Sequence, residues 1–202
     1  MTHDGEGTRT ARASAQRERI LDAAQRCFVA DGFHAASMAR VAQAADMSPG
    51  LIYRYFPGKH AIILAIIERE LARGRARIAQ LPDVPDLAGH LAQALRRWRE
   101  GAPDELNVPL FLSMSADATR DPTIAAALRA YDEKIRADLV AWLAAAPERG
   151  GRGLPEPTAH SRAAMMQVVF EGLALRSARE PGVDAIALER ELRRVCEVLL
   201  AP

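Results

Sequence analysis

The chain has 202 residues, of which 49% are apolar and 26% charged, with 27 lysines and arginines set against 26 aspartates and glutamates. These proportions suit a globular protein of one or two domains with a core of its own, and they exclude a disordered chain and a protein that is basic throughout. The longest apolar run, Ala61 to Ile67, is far too short to cross a bilayer, Met1 to Thr10 lacks the apolar centre of a secretion signal, and the widely separated Cys27 and Cys196 read as buried, reduced thiols, so a cytoplasmic setting is predicted.

Helical periodicity runs through almost the whole chain without a convincing alternating strand pattern, which predicts an all-α fold of about nine helices. Residues 1–12 read as a flexible arm, residues 13–58 as a first helical domain, whose short helices and edge residues make it a helix-turn-helix unit for DNA, and residues 59–202 as a second helical domain. A first helix from about Ser14 to Ala30 places Ile20, Ala24, Cys27 and Phe28 on one face; Asp31-Gly32 stops it, and Phe33 returns to the same small core. Ser37 opens a short second helix with Met38, Val41 and Ala42 inward, and the tight link Ala45-Asp46-Met47-Ser48 leads to a third.

That third helix carries the densest signal in the chain. Ser48 can cap it and Pro49 suits its first position, so amide donors face outward at phosphate, while Gly50 keeps the leading edge thin enough to enter a groove. Tyr53, Arg54, Tyr55 and Lys59 supply donors to phosphates and base edges. Between Arg9 and Lys59 the cations Arg9, Arg12, Arg17, Arg19, Arg26, Arg40, Arg54 and Lys59 face only the acids Glu18, Asp22, Asp31 and Asp46, so a near-neutral total hides a positive front. Ordinary packing of Tyr53 and Tyr55 is the alternative; two phenols flanking an arginine favour a polar surface.

After Phe56-Pro57-Gly58 a long helix is predicted from about Lys59 to Leu81, burying Ile62, Ile63, Ile66, Ile67 and Leu71 and exposing Glu68, Arg69, Arg73, Arg75 and Arg77, with Glu68 and Glu70 on a solvated face. Pro82 to Asp86 ends it. Leu87, Leu91, Leu95 and Trp98 mark the next helix, another starts between Asp104 and Pro109, and Asp121-Pro122 opens one striped by Ile124, Leu128, Tyr131, Ile135, Leu139 and Trp142. Pro147 to Pro157 reads as a mobile loop. Two last helices carry Met165, Met166, Val169, Phe170, Leu173 and Ala174, then Leu188, Leu192, Val195, Cys196 and Leu199. Either they form a four-helix bundle with a second copy, through Met165, Val169, Phe170, Leu173, Leu192, Val195 and Leu199, or they only close their own domain. Trp98, Phe111, Met114, Tyr131, Trp142, Met166 and Phe170 are candidate pocket residues for an apolar or amphipathic small molecule, with His90 or Arg176 as a polar anchor; plain core is the other reading.

From about Arg17 to Leu64 the sequence resembles the TetR family of bacterial transcriptional regulators. The likeness lies in Asp31-Gly32-Phe33, in Ser37-Met38-Ala39-Arg40-Val41-Ala42, and in Met47-Ser48-Pro49-Gly50-Leu51-Ile52-Tyr53-Arg54-Tyr55-Phe56-Pro57-Gly58-Lys59. It implies a homodimer whose front three helices bind double-stranded DNA and whose divergent rear domain holds an effector and the dimer face. Matching positions imply phosphate contacts from Ser37, Tyr53, Tyr55 and Lys59, base or nearby backbone contacts from Pro49, Gly50, Leu51 and Arg54, and structural roles for Val41, Met47, Ile52 and Phe56. Ser37 serves equally as a simple cap and Arg54 as a solvated cation; Arg9 and Arg12 either reach an adjacent minor groove or lie in a disordered tail. The chain departs from the family at Asp46, where glycine is usual, and at Leu51, where a polar residue is common. Aspartate tolerates the left-handed turn, and leucine suits a thymine methyl.

A two-fold dimer reads two half-sites about 34 Å apart, so the expected activity is repression at a palindromic operator, released by a ligand that prefers the wrongly spaced dimer. The helix from Lys59 to Leu81 is the natural lever. His3, His34, His60, His90 and His160 are too dispersed for a metal or catalytic set, and no enzyme, cofactor or membrane partner is expected. A DNA-packaging protein without an effector is the alternative, and a protein-interaction module stands third.

Overall fold

Alanine, leucine, arginine and glutamate fill long stretches of the chain, while glycine and proline gather at a few junctions. The computed structural model describes residues 4–102, 105–180, 182 and 184–201, with side chains described from residue 10 onward and not at 185. Among the described residues there are nine helices and no strand: α1 (Asp4–Asp31), α2 (Met38–Ala45), α3 (Pro49–Tyr55), α4 (Lys59–Ala79), α5 (Leu87–Arg99), α6 (Val108–Ala118), α7 (Pro122–Ala144), α8 (Glu156–Arg179) and α9 (Ala185–Leu200). Single 3-10 turns occupy Leu81–Asp83 and Pro147–Arg149.

Helix α1 starts about ten residues before the predicted Ser14, so the arm expected over residues 1–12 is helical from Asp4, and residues 1–3 lie outside the described residues. Gly5 and Gly7 each cost roughly 1 kcal/mol against alanine, yet adding turns to an existing helix needs no new nucleus, and Ala11, Ala13 and Ala15 favour continuation.

The chain divides into two units, residues 1–69 with 113–128 and residues 70–112 with 129–202. Residues 59–69 and 113–128 thus group with the front helices, beyond the boundary predicted after Gly58. In the first unit α2 packs on both α1 and α3. Phe28 meets Phe33 edge to face at 5.3 Å, and Ile20, Val41, Ile52, Phe56, Ile62 and Ile66 are buried. Arg19 and Arg26 of α1 donate to the carbonyls of Ala45 and Ala44 at 2.7 and 3.2 Å, two cations at the negative end of α2. Arg69, predicted to be exposed, is only 11% so, because its guanidinium reaches Glu18 and Asp22 of α1, each at 2.8 Å. Asp121 begins α7: its Oδ1 accepts from the amides of Thr123 and Ile124, while its Oδ2 lies 2.7 Å from Nε2 of His60. The hydrogen bond from His60 holds the Asp121 carboxyl below the usual carboxylate range.

In the second unit α5 packs against α8 and α9, and Leu95, Trp98, Leu143, Leu154, Ala163, Leu173 and Leu192 belong to one buried cluster. Glu70 is 4% exposed and accepts from Arg73 at 3.0 Å, so it lies off the predicted solvated face. The expected mobile loop after Pro147 is instead tied to the end of α7. Gly151, Gly153 and Leu154 donate to the carbonyls of Ala146, Ala145 and Leu143, which satisfies helix-end acceptors that would otherwise be unpaired, and Leu154 is buried. Cys27 and Cys196 are buried and unpaired, and burial raises both thiol pKa values.

Candidate nucleic-acid interface and ligand cavity

The link between α2 and α3 turns on Asp46, which adopts φ 54° and ψ 52° as the residue that ends α2. Its short side chain makes this left-handed conformation affordable where a branched residue would be strained. Ser48 is extended, its Oγ accepts from the Leu51 amide at 3.3 Å, and Pro49 takes the first helical position. Buried Ile52 and Phe56 fix the rotation of α3 about its axis. The opposite edge consists of exposed Ser48, Pro49, Gly50, Tyr53 and Arg54, with Leu51 and Tyr55 half-buried. A Cβ on Gly50 would meet nothing within 4 Å, so the packing of this chain does not require glycine there.

The other predicted contacts are already engaged within the head. Lys59 donates from Nζ to the carbonyls of Phe33 and His34, both at 2.8 Å, and sits 5.0 Å from the Phe33 ring centroid. Two of its three donors are therefore taken by the segment joining α1 to α2, which one-dimensional spacing could not reveal. Ser37 caps α2 by accepting from the Arg40 amide at 3.1 Å, leaving its hydroxyl proton free to donate outward. Arg40 itself pairs with Asp31, and Arg17 lies over the Phe56 ring at 4.5 Å. Arg54, in contrast, has no hydrogen-bond or ion-pair partner among the described residues.

This division of labour gives a first prediction. Lys59→Met keeps the stem but removes the ammonium, and the variant is expected to lose about 2 kcal/mol of stability in urea titration because two carbonyls lose a charged donor. The salt slope of DNA binding should change by well under 1, whereas a change near 1 with unaltered stability would restore Lys59 as chiefly a phosphate ligand.

The second unit contains a cavity of about 160 Å³, whose wall includes Trp98, Phe111, Tyr131, Met166 and Phe170 of the seven predicted pocket residues. Met114 is buried in the first unit and Trp142 donates from Nε1 to the Gly150 carbonyl at 3.1 Å, so neither lines it. His90 borders the cavity; Arg176 pairs with Glu180 instead. Trp98 stacks edge to face on Phe170 at 5.0 Å, and its indole N–H is buried without an acceptor among the described residues. Sequence reasoning missed the acids in this wall, Glu105, Asp132 and Glu171. Burial, reinforced by Glu171, raises the Asp132 carboxyl to about 6, and burial also raises the Tyr131 phenol.

Of the expected dimer residues, Leu173, Leu192 and Leu199 are buried within the chain, and Val169, Phe170 and Leu199 line the cavity. These five positions face inward. Met165 and Val195 are exposed, together with Val168 and Val198, so the open apolar stripe is the one at spacing 165/168 and 195/198. That i, i+3 pattern was present in the sequence, hidden by the wider apolar surface of both helices.

Residues 20–66 match the family model described as bacterial regulatory proteins, tetR family, and residues 101–201 match that of the BetI-type transcriptional repressor, C-terminal. The chain is 31% identical over 117 residues to the HTH-type transcriptional regulator UidR of Escherichia coli K12, a match covering 58% of this chain and 59% of UidR. The solved structure of Salmonella enterica GusR superposes with a TM-score of 0.72 at 28% identity, covering 92% of this chain and 95% of that one. A transcriptional regulator from Pseudomonas aeruginosa PAO1 shares the fold, with a TM-score of 0.70 at 20% identity over 91% of this chain and 87% of its own.

Proposed function

Because the chain belongs to the TetR family of bacterial regulatory proteins, we propose that it is a repressor that binds an inverted-repeat operator as a homodimer and leaves it when a small apolar or amphipathic effector enters the rear cavity. The observation that carries the reading is the uncovered edge of α3, where Ser48, Pro49, Gly50, Tyr53 and Arg54 are exposed and Arg54 has no partner among the described residues. Ser48 and Pro49 orient amides toward a phosphate, Tyr53 and the half-buried Tyr55 add phenolic donors, Leu51 and Arg54 meet base edges, and the Ser37 hydroxyl reaches the flanking backbone.

One such helix offers too few base contacts for tight selection, so two copies are needed. The stripe of Met165, Val168, Val195 and Val198 is the proposed dimer face, since large apolar side chains left in water at helical spacing favour burial by a twin surface. A double variant, Val168→Glu with Val198→Glu, should be monomeric by light scattering and lose operator affinity by at least about tenfold, while a persistent dimer would move the face elsewhere.

The effector part of the reading is supported by the cavity and by Trp98, whose buried, unsatisfied N–H favours a guest bearing an acceptor. Helix α4 carries Lys59 and His60 in its first turn and Gly74 and Arg77 in the cavity wall, which supports its proposed part as the lever. An effector shifts the equilibrium only by its differential affinity for the two dimer states, typically about 1 to 3 kcal/mol. The direct test is selection of genomic fragments by the purified protein, followed by gel shift with and without metabolite extract. Failure to enrich any palindromic fragment overturns the proposal; enrichment that no extract reverses leaves the DNA-packaging alternative.

A further inference from the structure

The charges bordering the rear cavity do not cancel. Glu105 is paired with Arg97 at 3.0 Å and Glu70, near Tyr131, is paired with Arg73 at 3.0 Å. Asp132 of α7 and Glu171 of α8 both line the cavity, and neither carboxylate has an ion-pair partner among the described residues. Arg136, whose charge opposes the rise at Asp132, donates from Nε to the Gln167 side chain at 2.7 Å, and Gln167 in turn donates to the Asp132 main-chain carbonyl at 3.0 Å. Among the described residues, Arg77 is the only arginine or lysine in the wall, set against the acids Glu105, Asp132 and Glu171.

We propose that the rear cavity selects a small organic cation, an ammonium group on a body about the size of an aryl ring, and that Asp132 and Glu171 are the carboxylates that hold it. The inference rests on the reading of the cavity as an effector site and specifies its chemistry. The partly buried Asp132 carboxylate, raised by its burial and without an ion-pair partner among the described residues, gains from a guest that brings a positive charge, and the exposed Glu171 adds to the same field. Trp98, Tyr131 and Phe170 present aromatic surface in the same wall, which attracts an ammonium and accepts its apolar body. The volume of about 160 Å³ fits one ring and its substituent, since a cavity of roughly 150 Å³ accommodates benzene.

Asp132 titrates at about 6, raised by burial first and by Glu171 second, with Arg136 opposing and Glu133 adding to the rise. Arg77 of α4, His90 of α5, Tyr131 of α7, Cys196 of α9 and the paired Glu105 and Glu70 are the other titratable and charged groups on the surrounding elements. A cation favours the ionised carboxyl, so its affinity falls as pH drops through this value, and binding below it releases a proton.

Calorimetry on the full chain with 2-phenylethylamine, 2-phenylethanol and phenylacetate separates charge from size. At pH 7 the amine should bind about tenfold more tightly than the alcohol, with phenylacetate weakest, and its advantage should shrink between pH 7 and pH 5 although the amine itself stays protonated. Asp132→Asn should abolish both the preference and its pH dependence. Glu171→Gln, at an exposed position, should lower the preference without threatening the fold and serves if the first variant is unstable. Absence of amine binding, equal or tighter binding of the alcohol or the acid, or a preference that survives both substitutions overturns the inference. The regulator reading fails separately, if no genomic fragment is bound, and the calorimetric ranking stands apart from that result.

Discussion

Gly151→Ala is expected to produce the largest loss of stability of any glycine-to-alanine change among the described residues. The new Cβ would lie 2.1 Å from the Ala145 carbonyl oxygen and 2.5 Å from its carbon, and both are backbone atoms that cannot rotate aside. The segment cannot yield freely either, because Gly153 donates to that same oxygen at 2.8 Å, Leu154 donates to Leu143 at 3.0 Å and the Leu154 side chain is 3% exposed. Relieving the clash breaks the turn that ends α7 and withdraws Leu154 from the core, so a loss of about 4 kcal/mol is expected in urea titration. Gly153→Ala supplies the control: its φ of 64° strains alanine, but the nearest atom is Pro147 Cδ at 3.4 Å, and about 1 kcal/mol should be lost. Equal losses at the two positions would mean that the turn is far more pliant than its hydrogen bonds imply.

That turn also marks where sequence reasoning reached its limit. Gly and Pro at residues 147–157 signalled a break in helix, correctly, but not whether the break would be loose, because its anchors are main-chain carbonyls that any sequence at the end of α7 would offer. Signals within one helical turn read well: Ser37, Ser48 and Asp121 all sit at helix starts and accept from amides two or three residues onward. Long side chains read poorly. Charge alone places Lys59, Arg69 and Glu70 on surfaces, whereas partners at Phe33 and His34, at Glu18 and Asp22, and at Arg73 draw them inward. Of the predicted pocket residues, Phe111 and Met114 lie on one helix only three residues apart, yet they belong to different units. The division between the two units falls within α6, between Leu112 and Ser113, and no local pattern in the sequence marks it.

Arg54→Ala is expected to weaken operator binding by about 1 to 3 kcal/mol, roughly 5- to 150-fold, with the loss concentrated at one base pair of each half-site. The change should leave the fold intact, since Arg54 is exposed, has no partner among the described residues, and shares α3 with Ile52, whose burial and the Ser48 cap hold the helix in place. Stability within about 0.5 kcal/mol of the parent therefore separates lost recognition from lost structure. Position-resolved binding to a panel of operator variants then distinguishes the two roles that a cation can play on this edge. A base contact makes the variant indifferent to substitutions at one operator position while the salt slope stays near its parent value. A phosphate contact lowers affinity for every sequence alike and reduces the slope by about 1, the pattern expected of a purely electrostatic group. Tyr53→Phe, which removes one exposed phenolic donor without changing charge, should weaken all sequences equally with the slope unchanged. If both variants behave that way, α3 positions the head on the backbone, and base selection falls to Leu51 and the thin edge at Pro49 and Gly50.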